Sequence, residues 1–160
     1  MRIGFLILAI AATLFVAAPA ANAQGVRSGP DQSTLRDPDL EKDSLHNLEV
    51  AKNYFKLKKA YVAALKRCEE IIAGNPNFAR IEEVLLMAGQ SSLWLSEKKG
   101  KQRPDQYVTF DGGEKRTLTA DQFREMGREY LSKLIKDYPD GDFAKQARET
   151  LRERSLEVKP

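Results

Sequence analysis

The sequence predicts an all-α fold of antiparallel helix pairs: about two repeats, a C-terminal capping helix, and a short β-hairpin-like insertion. Large and small residues alternate at helical spacing through Leu48, Ala51 and Phe55, then through Tyr61, Ala64, Cys68 and Ile71, with a lysine-rich turn between the two runs. The alternation returns, split in two, as Leu85, Ala88, Gly89 and Ser92 and then Gly127, Leu131, Leu134 and Ile135. The interval from Ala64 to Pro76 equals that from Gly127 to Pro139, so the extra length between Ser92 and Gly127 marks an insertion over 99–119.

The first helix is expected over 38–57. Asp37, Pro38 and Asp39 supply an N-cap, a proline at the first helical position and an acid where the helix dipole favours one. Leu48, Ala51 and Phe55 form its buried stripe. The second helix is expected over 60–73, with Gly74 as its C-cap and Pro76 as its breaker. Small Ala51 and Ala64 let these two helices approach, while Phe55, Tyr61 and Ile71 fill the space beside them. The third helix is expected over 80–98 and the fourth over 120–137, opened by a capping box from Thr119 to Gln122. The fifth, over 142–156, carries Phe143, Ala147 and Leu151 four apart and caps one end of the stack. A partner protein could cover the other end.

Between the third and fourth helices, the run from Lys98 to Pro104 reads as a basic loop. Gln106 to Phe110 and Glu114 to Leu118, around Asp111, Gly112 and Gly113, read as a hairpin. An isolated two-stranded ribbon is marginal in water. The insertion is therefore either a surface elaboration lying on the helices or a binding element that docks a partner through Tyr107, Val108 and Phe110.

Residues 1–23 read as a secretory signal: Arg2, an apolar run from Ile3 to Ala18, Pro19, and the small-residue site Ala21-Asn22-Ala23 before Gln24. The apolar run is shorter than the ~20 residues a spanning helix needs, so cleavage is expected in place of an uncleaved anchor. Residues 24–36, with Gly25, Gly29 and Pro30, read as a flexible tether, and 37–157 as the helical domain. The formal charge is only +3, from 26 basic and 23 acidic residues, and the signs alternate along Lys145 to Glu149 and Arg152 to Arg154. No nucleic-acid partner is expected from that distribution.

Catalytic chemistry finds little support. His46 is the single histidine and falls on the polar face of the first helix. Glu69-Glu70 and Glu82-Glu83 are adjacent acids, which point in different directions on a helix, so they read as charge decoration. No phosphate loop, metal-ligand cluster or acyl-transfer motif is present in the sequence. The expectation is a non-enzyme with no cofactor and no metal; an enzyme whose carboxylates work in a hidden groove is the remote alternative. Cys68 is the single cysteine, which excludes an intramolecular disulfide and a cysteine zinc site. It reads as a buried small hydrophobe, with an intermolecular disulfide or a redox thiol as the alternatives.

Ala51, Tyr54-Phe55, Tyr61, Ala64, Ile71-Ile72, Pro76, Gly89, Leu134-Ile135, Tyr138-Pro139 and Ala147 stand at tetratricopeptide-repeat spacing. From about Leu40 to Leu151 the chain resembles the periplasmic BamD or YfiO-like group of outer-membrane assembly proteins. A looser similarity links it to the cell-division coordinator built on such repeats. The resemblance implies a periplasmic scaffold for protein or peptide partners, peripheral to the outer membrane and serving outer-membrane protein assembly or envelope biogenesis. An adaptor for peptidoglycan or cell-division machinery is the alternative. It also implies a concave groove lined by the first helix of each pair. Helical spacing puts Glu49, Asn53 and Lys56 on the exposed side of the first helix, and Leu86, Gln90 and Trp94 on the corresponding side of the third. Trp94 reads equally well as core between the third and fourth helices. Two departures stand out. Lys52 occupies a position where the repeat usually has glycine, and no cysteine ends the signal segment, so no lipid anchor is implied. Gly127 sits mid-helix where the repeat favours alanine. If the crossing there has room for a methyl group, alanine should stabilise the fold.

Overall fold

The computed structural model describes residues 36–154. The expected signal over 1–23, nearly all of the expected tether, and the last residues of the fifth helix as predicted, Leu156 among them, lie outside the described residues. Arg36, the last residue of the expected tether, donates from its guanidinium to the Asn77 carbonyl at 3.0 Å. The described chain is mostly helical: α1 (Pro38–Lys52), α2 (Tyr61–Gly74), α3 (Ile81–Ser96), α4 (Ala120–Asp137) and α5 (Asp142–Glu153), with one two-stranded antiparallel sheet of β1 (Val108–Asp111) and β2 (Glu114–Thr117). No helix among the described residues is long and apolar enough to cross a membrane.

The first helix begins as its cap residues dictate. Asp37 Oδ1 accepts from the Asp39 and Leu40 amides, at 2.9 and 3.4 Å. Regular winding stops at Lys52, earlier than expected, and continues as a π-helix over Asn53–Lys58. Lys59 then turns left-handed, at φ 49°, and the Ala60 amide returns to the Tyr54 carbonyl at 2.9 Å. Gly74 does not cap α2 in a left-handed conformation as expected: it is the last helical residue, and the cap is Asn75. The Asn75 side-chain Nδ2 donates to Glu41 Oε1 at 3.0 Å and Ser44 Oγ at 3.1 Å, which ties the end of α2 back to α1.

Twelve of the sixteen residues of α3 are buried, because it packs against both α2 and α4 and also meets α5. Its crossing with α4 is a glycine contact. A methyl group on Gly127 would stand 2.9 Å from the Gly89 carbonyl oxygen and 2.7 Å from Leu93, and one on Gly89 would stand 2.6 Å from Leu131. There is no room for alanine, so the condition for a stabilising Gly127→Ala is not met.

The capping box of α4 is formed. Thr119 Oγ1 accepts from the Gln122 amide at 3.3 Å, and Gln122 Oε1 accepts from the Thr119 amide at 2.8 Å. On α5, Ala144, Ala147 and Leu151 are buried against α3 and α4, with Phe143 partly covered. One apolar core runs from Leu48 on α1 through Leu65, Leu93 and Phe123 to Leu151. The hairpin pairs Val108 with Thr117 through to Asp111 with Glu114, and Gly112 and Gly113, at φ +60° and +88°, close it with the backbone a tight hairpin turn demands.

Candidate binding surface

Where α1 unwinds, its last aromatic meets two others. Phe55 stacks on Trp94 with ring centroids 4.7 Å apart and planes 22° from parallel. Tyr61, the first residue of α2, lies 4.5 Å from Trp94 and 5.6 Å from Phe55 in tilted and edge-on geometries. The three rings floor an open recess of about 470 Å³ whose rim is Lys56, Lys59 and Lys99. Burial pushes the Tyr61 phenol above its ordinary pKa, and the nearby Lys99 ammonium pulls it part of the way back.

The rim is held by the loop that follows α3. The Lys99 amide donates to the Trp94 carbonyl at 2.9 Å, and the Lys101 amide to the Lys59 carbonyl at 2.9 Å. Gln102 Oε1 accepts from the Ala63 amide at 2.9 Å, capping the start of α2. Gly100, at φ +95°, lies against Tyr61 so closely that a β-carbon would stand 2.5 Å from the ring. Beyond this loop a second cleft of about 470 Å³ opens between Lys98, Lys101 and Arg103 and the apolar Leu95 and Leu118.

The insertion is anchored elsewhere. Tyr107 is buried edge-on against Phe123 at 5.4 Å, and its hydroxyl donates to Glu69 Oε1 at 2.6 Å; the Tyr130 hydroxyl donates to the same oxygen at 3.3 Å. Glu69 is thus not charge decoration. Burial raises its carboxyl above the ordinary range, against the pull of the two tyrosine hydrogen bonds and Lys66. Burial and the neighbouring Glu69 charge push both phenols up as well. Cys68 beside it is 0% exposed, and burial first, then the Glu69 and Glu83 charges, push its thiol up. Such a thiol is a core group, not a nucleophile. Among the described residues no group of three or more His, Cys, Asp or Glu side chains gathers to hold a metal ion.

The residues expected to line a groove divide. Lys56 and Trp94 come together in the recess. Trp94 is not core between α3 and α4 but packs toward the end of α1 and the start of α2. Leu86 is not exposed: it is 6% accessible, because α3 is surrounded by other helices and presents no free apolar side. Gln90 is half-buried and Asn53 exposed. Glu49 accepts from Lys52 at 3.0 Å and from Arg80 at 3.5 Å. Lys52 also reaches Glu83 at 3.0 Å, so its stem crosses to α3 and its amine lies in an ion network. In the insertion Tyr107 is a buried anchor and Val108 is half-buried, while Phe110 at the tip is 75% exposed. Phe55, Tyr61, Lys59 and the lysines after α3 escaped the sequence reading as a site, although both basic runs were visible. Nothing in the spacing pairs two runs about forty residues apart. Comparison with protein-family models, with curated proteins and with solved structures yields no match to this chain.

Proposed function

We propose that this chain is an exported helical-repeat scaffold of the tetratricopeptide type that binds a protein partner in the cell envelope, in outer-membrane protein assembly or envelope biogenesis. The observation that carries the binding reading is the solvent-open recess floored by Phe55, Tyr61 and Trp94 at the edge of three helices. Aromatic side chains held in a depression supply large contact area at low entropic cost, which is what binding hot spots use. The envelope role rests on the signal segment and the family resemblance.

A photocrosslinking residue in place of Lys56, on the exposed rim, tests the reading in cells of the source organism. An outer-membrane barrel or assembly component should crosslink at position 56 and not at the exposed His46 position, and Trp94→Ala, after circular dichroism shows it folded, should abolish the product. Septal or wall proteins at position 56 would favour the cell-division adaptor. Crosslinks indifferent to Trp94 would remove the recess from the account.

A further inference from the structure

Six lysines gather at this corner from the turn after α1 and the loop after α3: Lys56, Lys59 and Lys99 rim the recess, Lys98 and Lys101 line the adjoining cleft, and Lys58 ends the π-helix. Lys99 is paired with Glu97 at 2.6 Å, and Lys58 lies over the Tyr54 ring at 4.9 Å. Among the described residues the other four, Lys56, Lys59, Lys98 and Lys101, have no ion-pair partner. Several cations elsewhere, Arg67, Arg124, Arg128, Lys133 and Lys145, each meet an acid three or four residues away, whereas these four stand together at one corner. The collar is therefore a concentration of uncompensated positive charge around an apolar floor.

Its backbone is built rather than loose. Two hydrogen bonds, from Lys101 to Lys59 and from Ala63 to Gln102, fasten the loop to the α1–α2 turn, so little ordering remains to be done when a ligand arrives. Lys59 and Lys98 are, among the described residues, the non-glycine residues with left-handed backbone, at φ 49° and 54°. A β-carbon makes that conformation unfavourable, and glycine takes it without strain. Both strained positions carry collar lysines, and strain of this kind gathers at working sites.

We propose that the collar and recess together dock an acidic peptide segment carrying one large apolar side chain. The acids meet Lys56, Lys59, Lys98 and Lys101, and the apolar side chain enters against Phe55 and Trp94. This rests on the reading of the recess as the scaffold's partner site. An open recess of about 470 Å³ above three rings packed on one another at 4.5 to 5.6 Å has room for a side chain. An anionic membrane would instead call for apolar groups that project, and at this corner Leu57 alone, 75% exposed, does so. Lysine ammonium groups act as point charges on flexible stems, so the site reads negative charge without demanding one carboxylate geometry.

Trp94 is the chain's single tryptophan and lies in the recess, so its emission reports occupancy without a label. The probe is a short synthetic peptide of aspartate and glutamate around one central leucine. It should give a saturable emission change that weakens with added salt. The change should weaken about tenfold or more in the Lys56→Gln, Lys98→Gln, Lys101→Gln triple variant and when the peptide's leucine is replaced by alanine. These lysines are exposed, so the triple variant keeps its fold. Lys98→Gly should raise the denaturation midpoint while weakening the peptide, a combination that a merely structural lysine does not produce. Absence of binding, or binding that the triple variant leaves unchanged, overturns the proposal. Emission changes with phosphatidylglycerol vesicles and none with the peptide would overturn it too, making the collar a membrane-facing surface. Crosslinking at position 99 that persists in the triple variant but needs Trp94 would overturn the acidic chemistry alone, whereas crosslinking indifferent to Trp94 would remove the scaffold reading beneath it.

Discussion

Glu69 shows how one residue can be misjudged from its neighbours in sequence. Beside Glu70 it looked like surface charge, and Glu70 does pair with Arg67 in solvent at 2.6 Å. One position earlier on the helix, the carboxylate turns inward and takes two tyrosine hydroxyls from β1's approach and from α4. Its pKa in the folded chain is raised above the ordinary 4.5, chiefly by burial. Between that ordinary value and the raised one, the folded chain holds a proton that the unfolded chain has released. Stability contributed by Glu69 is then present at low pH and is lost as pH rises through the interval. Glu69→Gln cannot titrate and keeps an oxygen for the Tyr107 hydroxyl. The stability of the native chain minus that of the variant should therefore decrease as pH rises just above 4.5, read from urea midpoints across a pH series. A difference that stays flat would mean that water reaches the carboxylate freely.

At the scale of elements, the α3–α4 crossing decides more than helix propensity does. Alanine in place of Gly127 gains about 1 kcal/mol of propensity, yet its methyl would press on the Gly89 carbonyl, a backbone atom that cannot turn aside. Overpacking of a tight core typically costs about 1–3 kcal/mol, so Gly127→Ala should lower the urea midpoint overall. Gly89→Ala would meet the buried Leu131 side chain at 2.6 Å and the Gly127 carbonyl at 3.2 Å, so it too should lower the midpoint. A rise in midpoint for Gly127→Ala would show that α4 can slide. Helix existence, order and most boundaries were legible from caps and periodicity, because Asp37, Thr119 and the Gly112-Gly113 turn act locally. The π-helix over Asn53–Lys58 and the Asn75 cap were not, since both are settled by contacts with residues distant in sequence. Leu86 was misplaced for the same reason: a helical wheel gives spacing around an axis, but the number of neighbouring helices decides which side is exposed.

For the whole molecule, the open question is whether five helices behave as one body or as an array that melts from its ends. A long solenoid unfolds repeat by repeat because each unit touches only its neighbours. Here α1 packs chiefly on α2 and leaves Leu40 and Leu45 half-exposed, which is the behaviour of an array end. Against this, α3 contacts α2, α4 and α5, Lys52 ties α1 to α3 through Glu83, and Tyr107 ties the insertion to α2 and α4. With so few units and a shared central helix, loss of any layer uncovers α3, so the favoured outcome is a single cooperative transition. The recess supplies the test, since Trp94 reports the corner formed by α1, α2 and α3, while far-ultraviolet circular dichroism reports all helices together. The two signals should give coincident midpoints and equal slopes in urea. A Trp94 transition that precedes the loss of helix would mean that α1 and its aromatic contacts open first, and the recess would then belong to the least stable part of the fold.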